Sequence, residues 1–206
     1  GEGAFIGEIH RAAARLDGQI ELVCGAFSSK PEVSQQTGEK LGLLPDRAYS
    51  NWQQMLAREA GLPAGSRMEF LSIVTPNDLH FPIAKHALES GFHVLCDKPA
   101  TRSLAEAQLL AETVDRAKRC YALTNTYLGY PMVSEARERI LEGAVGNVRH
   151  VTIAYAQGWL STRLEATGHR QAQWRTSSQR AGVGGAVGDI GTHAFSLAEY
   201  VTGLQV

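Results

Sequence analysis

Short apolar runs of strand-forming residues alternate with helix-like segments through residues 1–123, and this alternation limits the fold more than any other feature of the chain. The predicted strands are 20–27, 68–74, 92–96 and 120–125, and the predicted helices are 6–16, 31–41, 52–60, 79–89 and 103–118. Continuous apolar runs are typical of parallel strands that are buried on both faces. Strands that alternate with helices therefore predict an α/β fold with a doubly wound parallel sheet.

The pattern changes after residue 123, which we take as a domain boundary between 1–123 and 124–206. A helix is predicted for 131–142, closed by Gly143, and a second helix for 189–203. Residues 147–157 alternate apolar and polar side chains, as a strand with one solvated face does. The intervening residues 158–180 are polar and predict a long loop, and long loops in compact domains often carry function.

Charge and composition exclude several classes of partner. The formal net charge is -1 and no Lys/Arg-rich run is present, so a nucleic-acid partner is not expected. No apolar run approaches the roughly 20 residues that span a bilayer, and no signal peptide opens the chain. Cys24, Cys96 and Cys120 lie in apolar segments without CxxC spacing, which predicts buried free thiols, no metal site and a reducing, cytoplasmic setting.

A glycine-rich turn, Gly1-Glu2-Gly3-Ala4-Phe5-Ile6-Gly7, precedes the first helix. Glycines let a backbone turn sharply and approach a pyrophosphate, whose charge is met by the helix N-terminus. The last glycine comes one residue later than in GxGxxG, so an ordinary loop or a tag remains an alternative. The chain has no initiator Met, and we expect that it begins inside a longer protein, after the first strand of the sheet.

The end of the 20–27 strand bears on which dinucleotide binds. A carboxylate at this place would bind the adenosine ribose, but Ser28, Ser29 and Lys30 follow Phe27 instead. Without a carboxylate to repel it, a 2'-phosphate could be accepted, which favours NADP or dual use over NAD alone. Alternatively, Ser28 and Ser29 cap the next helix.

Polar residues follow two further predicted strands. One strand ends at Thr75-Pro76-Asn77-Asp78-Leu79-His80 and the next at Cys96-Asp97-Lys98-Pro99. Because adjacent parallel strands open onto one edge, both segments should lie at the carboxyl edge, where α/β sheets keep their active sites. Pro99 biases Lys98 away from helical geometry. Taken singly, these residues could be helix caps or a surface lysine.

A third group follows the glycine-rich segment 182–188. Asp189 and His193 are four residues apart, so on a helix they share one face. A carboxylate beside an imidazole can orient it and favour its charged form. Histidine can exchange a proton near neutral pH, and lysine supplies a fixed positive charge. The alternative is an N-capping Asp with an incidental His.

Together these segments resemble the glucose-fructose oxidoreductase / inositol dehydrogenase (Gfo/Idh/MocA) family. The resemblance rests on the glycine turn, on 75–80, on Asp97-Lys98-Pro99 in place of Glu-Lys-Pro, and on 188–193. It implies an N-terminal Rossmann domain and a C-terminal α/β domain with a mostly antiparallel open sheet, of which this chain carries the start. Members commonly form homo-oligomers, so a homo-oligomer is expected.

The resemblance also implies roles for individual residues. Lys98, Asp189 and His193 match the catalytic set. The cofactor-binding residues would be Gly1, Gly3, Phe5, Ile6, Ser28, Ser29, Thr75, Asn77, His80, Lys98, Trp174 and Arg175, and the substrate-binding residues Lys98, Asn125, Tyr127, Arg175, Asp189 and His193. Thr126 and Leu128 interrupt the usual Asn-Tyr-Arg run around Tyr127, and Trp174 could equally be a packing residue.

The expected function is that of an NAD(P)-dependent oxidoreductase. It would transfer hydride between nicotinamide and a hydroxyl or ketone carbon of a sugar, an inositol or a related polyol. One alternative is a non-catalytic, cofactor-binding sensor of the same fold, which should have lost Lys98 or His193. Another is an NAD-dependent glycosidase that uses transient redox chemistry.

Overall fold

The computed structural model describes residues 5–182 and 184–205 of the chain, without the side chains of Phe5 and Arg170. The predicted pyrophosphate-binding glycines Gly1 and Gly3 therefore lie outside the described residues. The chain divides into two compact units. The first unit comprises the described residues up to Val74 with Pro82–Cys96 and Leu110–Ala122, and the second comprises Thr75–Phe81, Asp97–Leu109 and the described residues from Leu123 onward.

The helices of the first part of the chain begin and end within two residues of the predicted bounds. They are α1 (Phe5–Ala14), α2 (Pro31–Lys40), α3 (Trp52–Ala60), α4 (His80–Glu89) and α5 (Leu104–Ala117). Pro31 is the first residue of α2, where its missing N–H costs no hydrogen bond. Asn51 caps α3 by accepting a 2.8 Å hydrogen bond from the backbone N–H of Gln54. Local signals thus place these helices.

A three-stranded sheet confirms the predicted α/β architecture. Its strands are β1 (Phe70–Ile73), β2 (His93–Asp97) and β3 (Tyr121–Thr124), in the order β1-β2-β3. β1 and β2 run parallel, with Phe70 opposite His93 and Ile73 opposite Cys96. Ile73, Val94 and Cys96 are buried, but Ser72 is exposed and only alternate residues of β2 are buried, so the two faces predicted to be covered are not covered equally.

The predicted strand at 20–27 is wrong. Among the described residues, this stretch makes a single parallel bridge, between Gly25 and Ala48. The N–H of Gly25 donates to the carbonyl of Arg47, and the N–H of Tyr49 donates to the carbonyl of Gly25. One bridge does not make a ladder, because a strand is defined by partners along its whole length. The burial predicted for Cys120 is also wrong: Cys24 and Cys96 are buried free thiols, but Cys120 is exposed.

Helices dominate the described residues of the second unit. They are α6 (Pro131–Leu141), α7 (Arg170–Arg175), α8 (Ser178–Ala181) and α9 (Thr192–Thr202), which a π-helical turn at Val187–Gly191 precedes. α6 packs against α9: the guanidinium of Arg137 lies 4.9 Å from the ring centroid of Tyr200 and donates to its carbonyl oxygen. Gly203, with φ of 71°, ends α9 in the left-handed region that favours glycine.

Two predictions for the second unit are wrong. Residues 147–157 form no strand among the described residues, and Val151 and Ile153 each remain 40% exposed. Their alternation gives one apolar face, but a strand needs a partner ladder that the described chain does not provide. Residues 158–180 contain a 3-10 turn, Leu164–Thr167, as well as α7 and α8, instead of a continuous loop. None of the described helices is long and apolar enough to span a membrane.

Candidate active site

Lys98 and Asp189 form an ion pair in the second unit. Lys98 directly follows β2, and its Nζ donates to Asp189 Oδ1 at 2.6 Å and to the Asp189 carbonyl at 2.7 Å. An ammonium group has three N–H donors, so these two bonds leave one for a further acceptor. The side chains are 14% and 20% exposed. The pair thus presents one aimed positive donor at a partly buried place.

Asp97 holds the backbone that presents Lys98. Its Oδ1 accepts 2.9 Å hydrogen bonds from the backbone N–H of Lys98 and from Thr124 Oγ1. Such bonds from a side chain to the neighbouring backbone fix a local conformation. Asp97, which replaces the Glu of the Glu-Lys-Pro pattern, therefore has a structural role. Thr124 shares this role, and the sequence did not predict it.

Two cations share the carboxylate of Asp189. Lys98 binds Oδ1, and Arg175 Nε donates to Oδ2 at 3.2 Å. Burial alone would raise the pKa of Asp189, but the hydrogen bond and charge of Lys98, followed by those of Arg175, hold it below its usual value. Asp189 is therefore ionised at neutral pH, with each oxygen committed to a different cation.

His193 lies one helical turn beyond Asp189 and is only 6% exposed. Its Nδ1 is buried and has no hydrogen-bond partner among the residues that the structure describes. Burial, and then the charge of Lys98, lower the pKa of His193 against the opposing effects of Asp189 and Asp97. Asp189 does favour the charged imidazole, as expected, but burial and Lys98 outweigh it, so the ring is neutral near neutral pH and can accept a proton.

Two tyrosines flank His193. The ring of Tyr127 meets the imidazole edge to face, with centroids 4.5 Å apart, and the Tyr155 ring lies at 6.5 Å. The two phenol oxygens are 2.5 Å apart. The hydrogen bond between Tyr127 and Tyr155, together with burial, raises the pKa of Tyr127 to about 12, so its hydroxyl keeps its proton. Asn125, predicted beside Tyr127, is partly buried and its side chain makes no capping bond to the 3-10 turn that follows.

The segment 75–80 is tied to the loop after Lys98. The imidazole of His80 is 1% exposed, and its two nitrogens lie 2.8 Å from the Thr75 carbonyl and 2.7 Å from the Pro99 carbonyl. Its ring therefore braces this loop. Asn77 is also buried, and its Nδ2 donates to the Ala181 carbonyl at 3.3 Å. Thr75 Oγ1 is buried and lacks a hydrogen-bond partner within the described chain.

The guanidinium of Arg175 lies close to two indoles. Its guanidinium carbon is 4.2 Å from the ring centroid of Trp174 and 5.6 Å from that of Trp159. Both Arg175 Nη1 and Trp174 Nε1 donate to Gln171 Oε1, at 2.5 and 3.1 Å. Trp174 is thus a packing residue, as the alternative interpretation predicted. It packs against Arg175, which binds Asp189.

The remaining predicted cofactor residues belong to the first unit. Ile6 is partly buried in α1, and Ser29 is exposed. Ser28 Oγ accepts a 3.1 Å hydrogen bond from the Lys30 backbone, which closes a local turn. Lys30 is the N-cap of α2 and no side chain caps it, so the alternative in which Ser28 and Ser29 cap this helix is wrong.

The side chains at 155, 157 and 159 form a row that the sequence did not predict. Gln157 Nε2 donates to the Tyr155 hydroxyl at 3.4 Å, and Trp159 Nε1 donates to Gln157 Oε1 at 3.1 Å. Alternate residues of an extended segment lie on one face. The alternation predicted for 147–157 continues into this row, in which Tyr155 lies beside His193 and Trp159 beside Arg175.

A parallel sheet that alternates with helices is the architecture of dinucleotide-binding α/β proteins, and Lys98 directly follows one of its strands. The chain belongs to the Gfo/Idh/MocA family, and this confirms the resemblance. The model described as "Oxidoreductase family, NAD-binding Rossmann fold" matches residues 1–125, and that of the GFO/IDH/MocA C-terminal domain matches 133–206.

Solved structures and curated relatives agree with this assignment. An oxidoreductase from Sinorhizobium meliloti has 46% identity and a TM-score of 0.82, covering 98% of this chain and 50% of that one. An inositol dehydrogenase homolog from Azotobacter vinelandii, complexed with NAD+, has 36% identity and a TM-score of 0.93, covering 98% and 51%. Levoglucosan dehydrogenase from Pseudarthrobacter phenanthrenivorans is 29% identical, covering 85% of this chain and 41% of its own length. The chain spans about half the length of the curated relatives it matches.

Proposed function

We propose that the full-length protein is an NAD(P)-dependent oxidoreductase that acts on a hydroxyl or ketone carbon of a sugar, an inositol or a related polyol. The observation that carries the proposal is the grouping of Lys98, Asp189 and a neutral, buried His193. An aimed ammonium donor and a neutral imidazole base are the two groups that oxidation of an alcohol needs. The inositol dehydrogenase homolog and levoglucosan dehydrogenase support the substrate class.

In the oxidation direction, His193 accepts the proton of the substrate hydroxyl. The third N–H of Lys98 donates to the same oxygen and stabilises the negative charge that develops on it. Asp189 stays ionised and keeps the ammonium in place. Tyr127, at the edge of the imidazole, contacts the substrate together with Asn125. A bound nicotinamide supplies the hydride acceptor, or the hydride donor when the reaction runs in reverse.

The residues that would hold the nicotinamide half fit a polar ligand. Thr75 Oγ1 is buried without a partner among the described residues, and Asn77 is buried beside it in the chain. Buried polar atoms without partners are rare in folded proteins and invite a ligand group. We assign the adenosine ribose to Ser28 and Ser29, and the pyrophosphate to Gly1, Gly3, Phe5 and Ile6. The hydroxyls and Lys30 at the ribose position favour NADP or dual use.

A screen of the full-length protein tests this function. Neutral sugars, inositols and related polyols are supplied with NAD and with NADP separately, and reduced nicotinamide is followed by absorbance. We expect turnover of at least one polyol. Confirmed cofactor binding without any turnover would contradict the proposal and favour a non-catalytic sensor.

The Lys98→Met variant tests the mechanism. It removes the donor that stabilises the alkoxide while keeping the length of the side chain, so we expect turnover to fall by at least about 1,000-fold. Cofactor affinity, measured by fluorescence titration, should change little. Lys85→Met, at a surface lysine paired with Glu89, is the matched control and should retain activity. Wild-type turnover in Lys98→Met would refute the assignment of Lys98.

A further inference from the structure

We propose that Arg175 is a positioning residue that, held by the indoles of Trp159 and Trp174, fixes the carboxylate of Asp189 and through it the ammonium of Lys98. The inference rests on the proposed function and deepens it. It gives Arg175 a role distinct from the cofactor and substrate contact that the family resemblance implies. It also brings Trp159, from outside the predicted site, into the machinery.

The guanidinium of Arg175 is held in place by neighbouring side chains. Trp174 lies 4.2 Å from it and Trp159 at 5.6 Å, both within the range in which a cation is attracted to an aromatic ring. The amide of Gln171 binds both Arg175 Nη1 and Trp174 Nε1, which ties the cation to one of its indoles. The Arg175 side chain is only 26% exposed, so water competes little for these contacts.

The held guanidinium of Arg175 in turn fixes the carboxylate of Asp189. Arg175 binds Oδ2 while Lys98 binds Oδ1, so rotation of the carboxylate would break one of the two bonds. Arginine suits this task because its donors lie in one rigid plane, whereas a lysine would be a flexible point charge. The direction of the third Lys98 N–H is then set by a chain of contacts that runs from Trp159 to Asp189.

A positioning role for Arg175 differs from direct binding of the substrate in its contacts and in its kinetics. The Nε and Nη1 donors of Arg175 are engaged within the protein, and an indole contacts the guanidinium from each of two side chains. A residue that binds substrate directly affects KM, whereas one that aligns the alkoxide donor affects kcat. Loss of alignment of a catalytic group costs about 100-fold in rate for a displacement near 1 Å.

The kinetic test uses the full-length protein with the best substrate of the screen. In Arg175→Met we expect kcat to fall about 100-fold, with substrate KM and cofactor Kd within about threefold of wild type. Arg175→Lys should recover part of kcat, and Trp159→Leu should lose about tenfold, as expected for one cation–π contact. Arg163→Gln, at an exposed arginine that precedes the 3-10 turn, is the control and should match wild type.

The double variant Arg175→Met/Trp159→Leu tests whether Arg175 and Trp159 act through the same contact. Because both residues act through Asp189, its kcat should equal that of Arg175→Met within about twofold. Fully multiplied losses, or a rise in KM at unchanged kcat, would overturn the proposal while leaving the oxidoreductase function intact. Circular dichroism and melting temperature check the fold. If Arg175→Met does not fold, Arg175→Lys and Trp159→Leu carry the same comparison.

A second readout requires no turnover at all. The pKa of the Asp189 carboxyl is measured by carbon NMR on aspartate-labelled protein, with Asp189→Asn for assignment. Removing Arg175 should raise this pKa, because one of the two cations that lower it is lost, and Trp159→Leu should raise it in the same direction. An unchanged pKa in Arg175→Met would overturn the proposal, even for a protein that oxidises no polyol.

Discussion

At the scale of single residues, charge decides which group of the site can act as a base. Lys98 and Arg175 both bind Asp189, whose charge favours the protonated form of the imidazole one turn away. Burial and the charge of Lys98 affect the pKa of His193 more strongly than the carboxylates do, and this pKa is lowered. A lysine that stabilises an alkoxide and also keeps its neighbouring histidine neutral serves both halves of one proton transfer.

The pH dependence of oxidation follows from this balance. In the proposed mechanism the neutral imidazole is the base, so activity should be present above the pKa of His193 and be lost as pH falls through it. Because burial and Lys98 lower that pKa from 6.5, the acid limb of kcat/KM should have its midpoint below 6.5. The measurement is a pH profile at saturating cofactor, using the best polyol of the screen.

Two variants identify the group that titrates. His193→Asn should abolish the reaction, whereas His86→Gln, at an exposed histidine of α4, should leave both the rate and the midpoint unchanged. A midpoint at or above 6.5 would mean that Asp189 wins over Lys98 and burial.

At the scale of helices and strands, the sequence predicts what local interactions determine. α3 begins at Trp52 and ends at Ala60, as predicted, because Asn51 caps it and its signals lie within the helix. The strand predicted at 20–27 has no ladder among the described residues, because pairing depends on distant segments. α7 was missed because it is six residues long and its cap is the ring of His169 instead of a usual capping residue.

In the candidate site, too, the sequence predicts local features but not the contacts between distant residues. The Asp189 to His193 spacing and the place of Lys98 after a strand are local features, and the sequence predicts both. The splitting of the Asp189 carboxylate between Lys98 and Arg175 joins residues 91 and 14 positions apart, and no local pattern encodes it. The contribution of Tyr155 was hidden for the same reason, since its hydroxyl meets that of Tyr127, 28 residues away.

Glu59 ties α3 to its neighbours in the first unit. Its side chain is fully buried and accepts hydrogen bonds from Arg47 Nη2 at 2.9 Å, Tyr49 Oη at 2.7 Å and the Met68 N–H at 2.9 Å. Removing one partner of a buried ion pair leaves the other charge uncompensated, so Glu59→Gln should lower the free energy of unfolding by about 3 kcal/mol. Urea denaturation measures the change.

Glu112→Gln is the matched control for that substitution. Glu112 is exposed on α5, so its loss should alter the free energy of unfolding by less than about 0.5 kcal/mol. Equal effects of the two substitutions would show that the three hydrogen bonds of Glu59 contribute nothing beyond those of a surface carboxylate.

At the scale of the whole molecule, family membership and the parallel sheet agree, but the second unit leaves much apolar surface uncovered. Val151 and Ile153 are each 40% exposed, Phe195 is 52% exposed and Val187 is 65% exposed. Scattered apolar residues are normal on a surface, whereas a run of them on one segment marks a face that another surface covers. The 147–157 segment, with its apolar alternate residues, is such a face.

The 206-residue chain, produced by itself, should therefore bind the dye ANS and self-associate at micromolar concentration. The full-length protein should bind less dye per molecule. In the 206-residue chain, Val151→Thr/Ile153→Thr should reduce both effects, because each change keeps the branched shape and adds a hydroxyl. The control Thr152→Val alters the opposite face of the same segment and should not reduce either effect. Dye fluorescence and light scattering after gel filtration give the comparison, and a monodisperse monomer without dye binding would show that this face is stable in water.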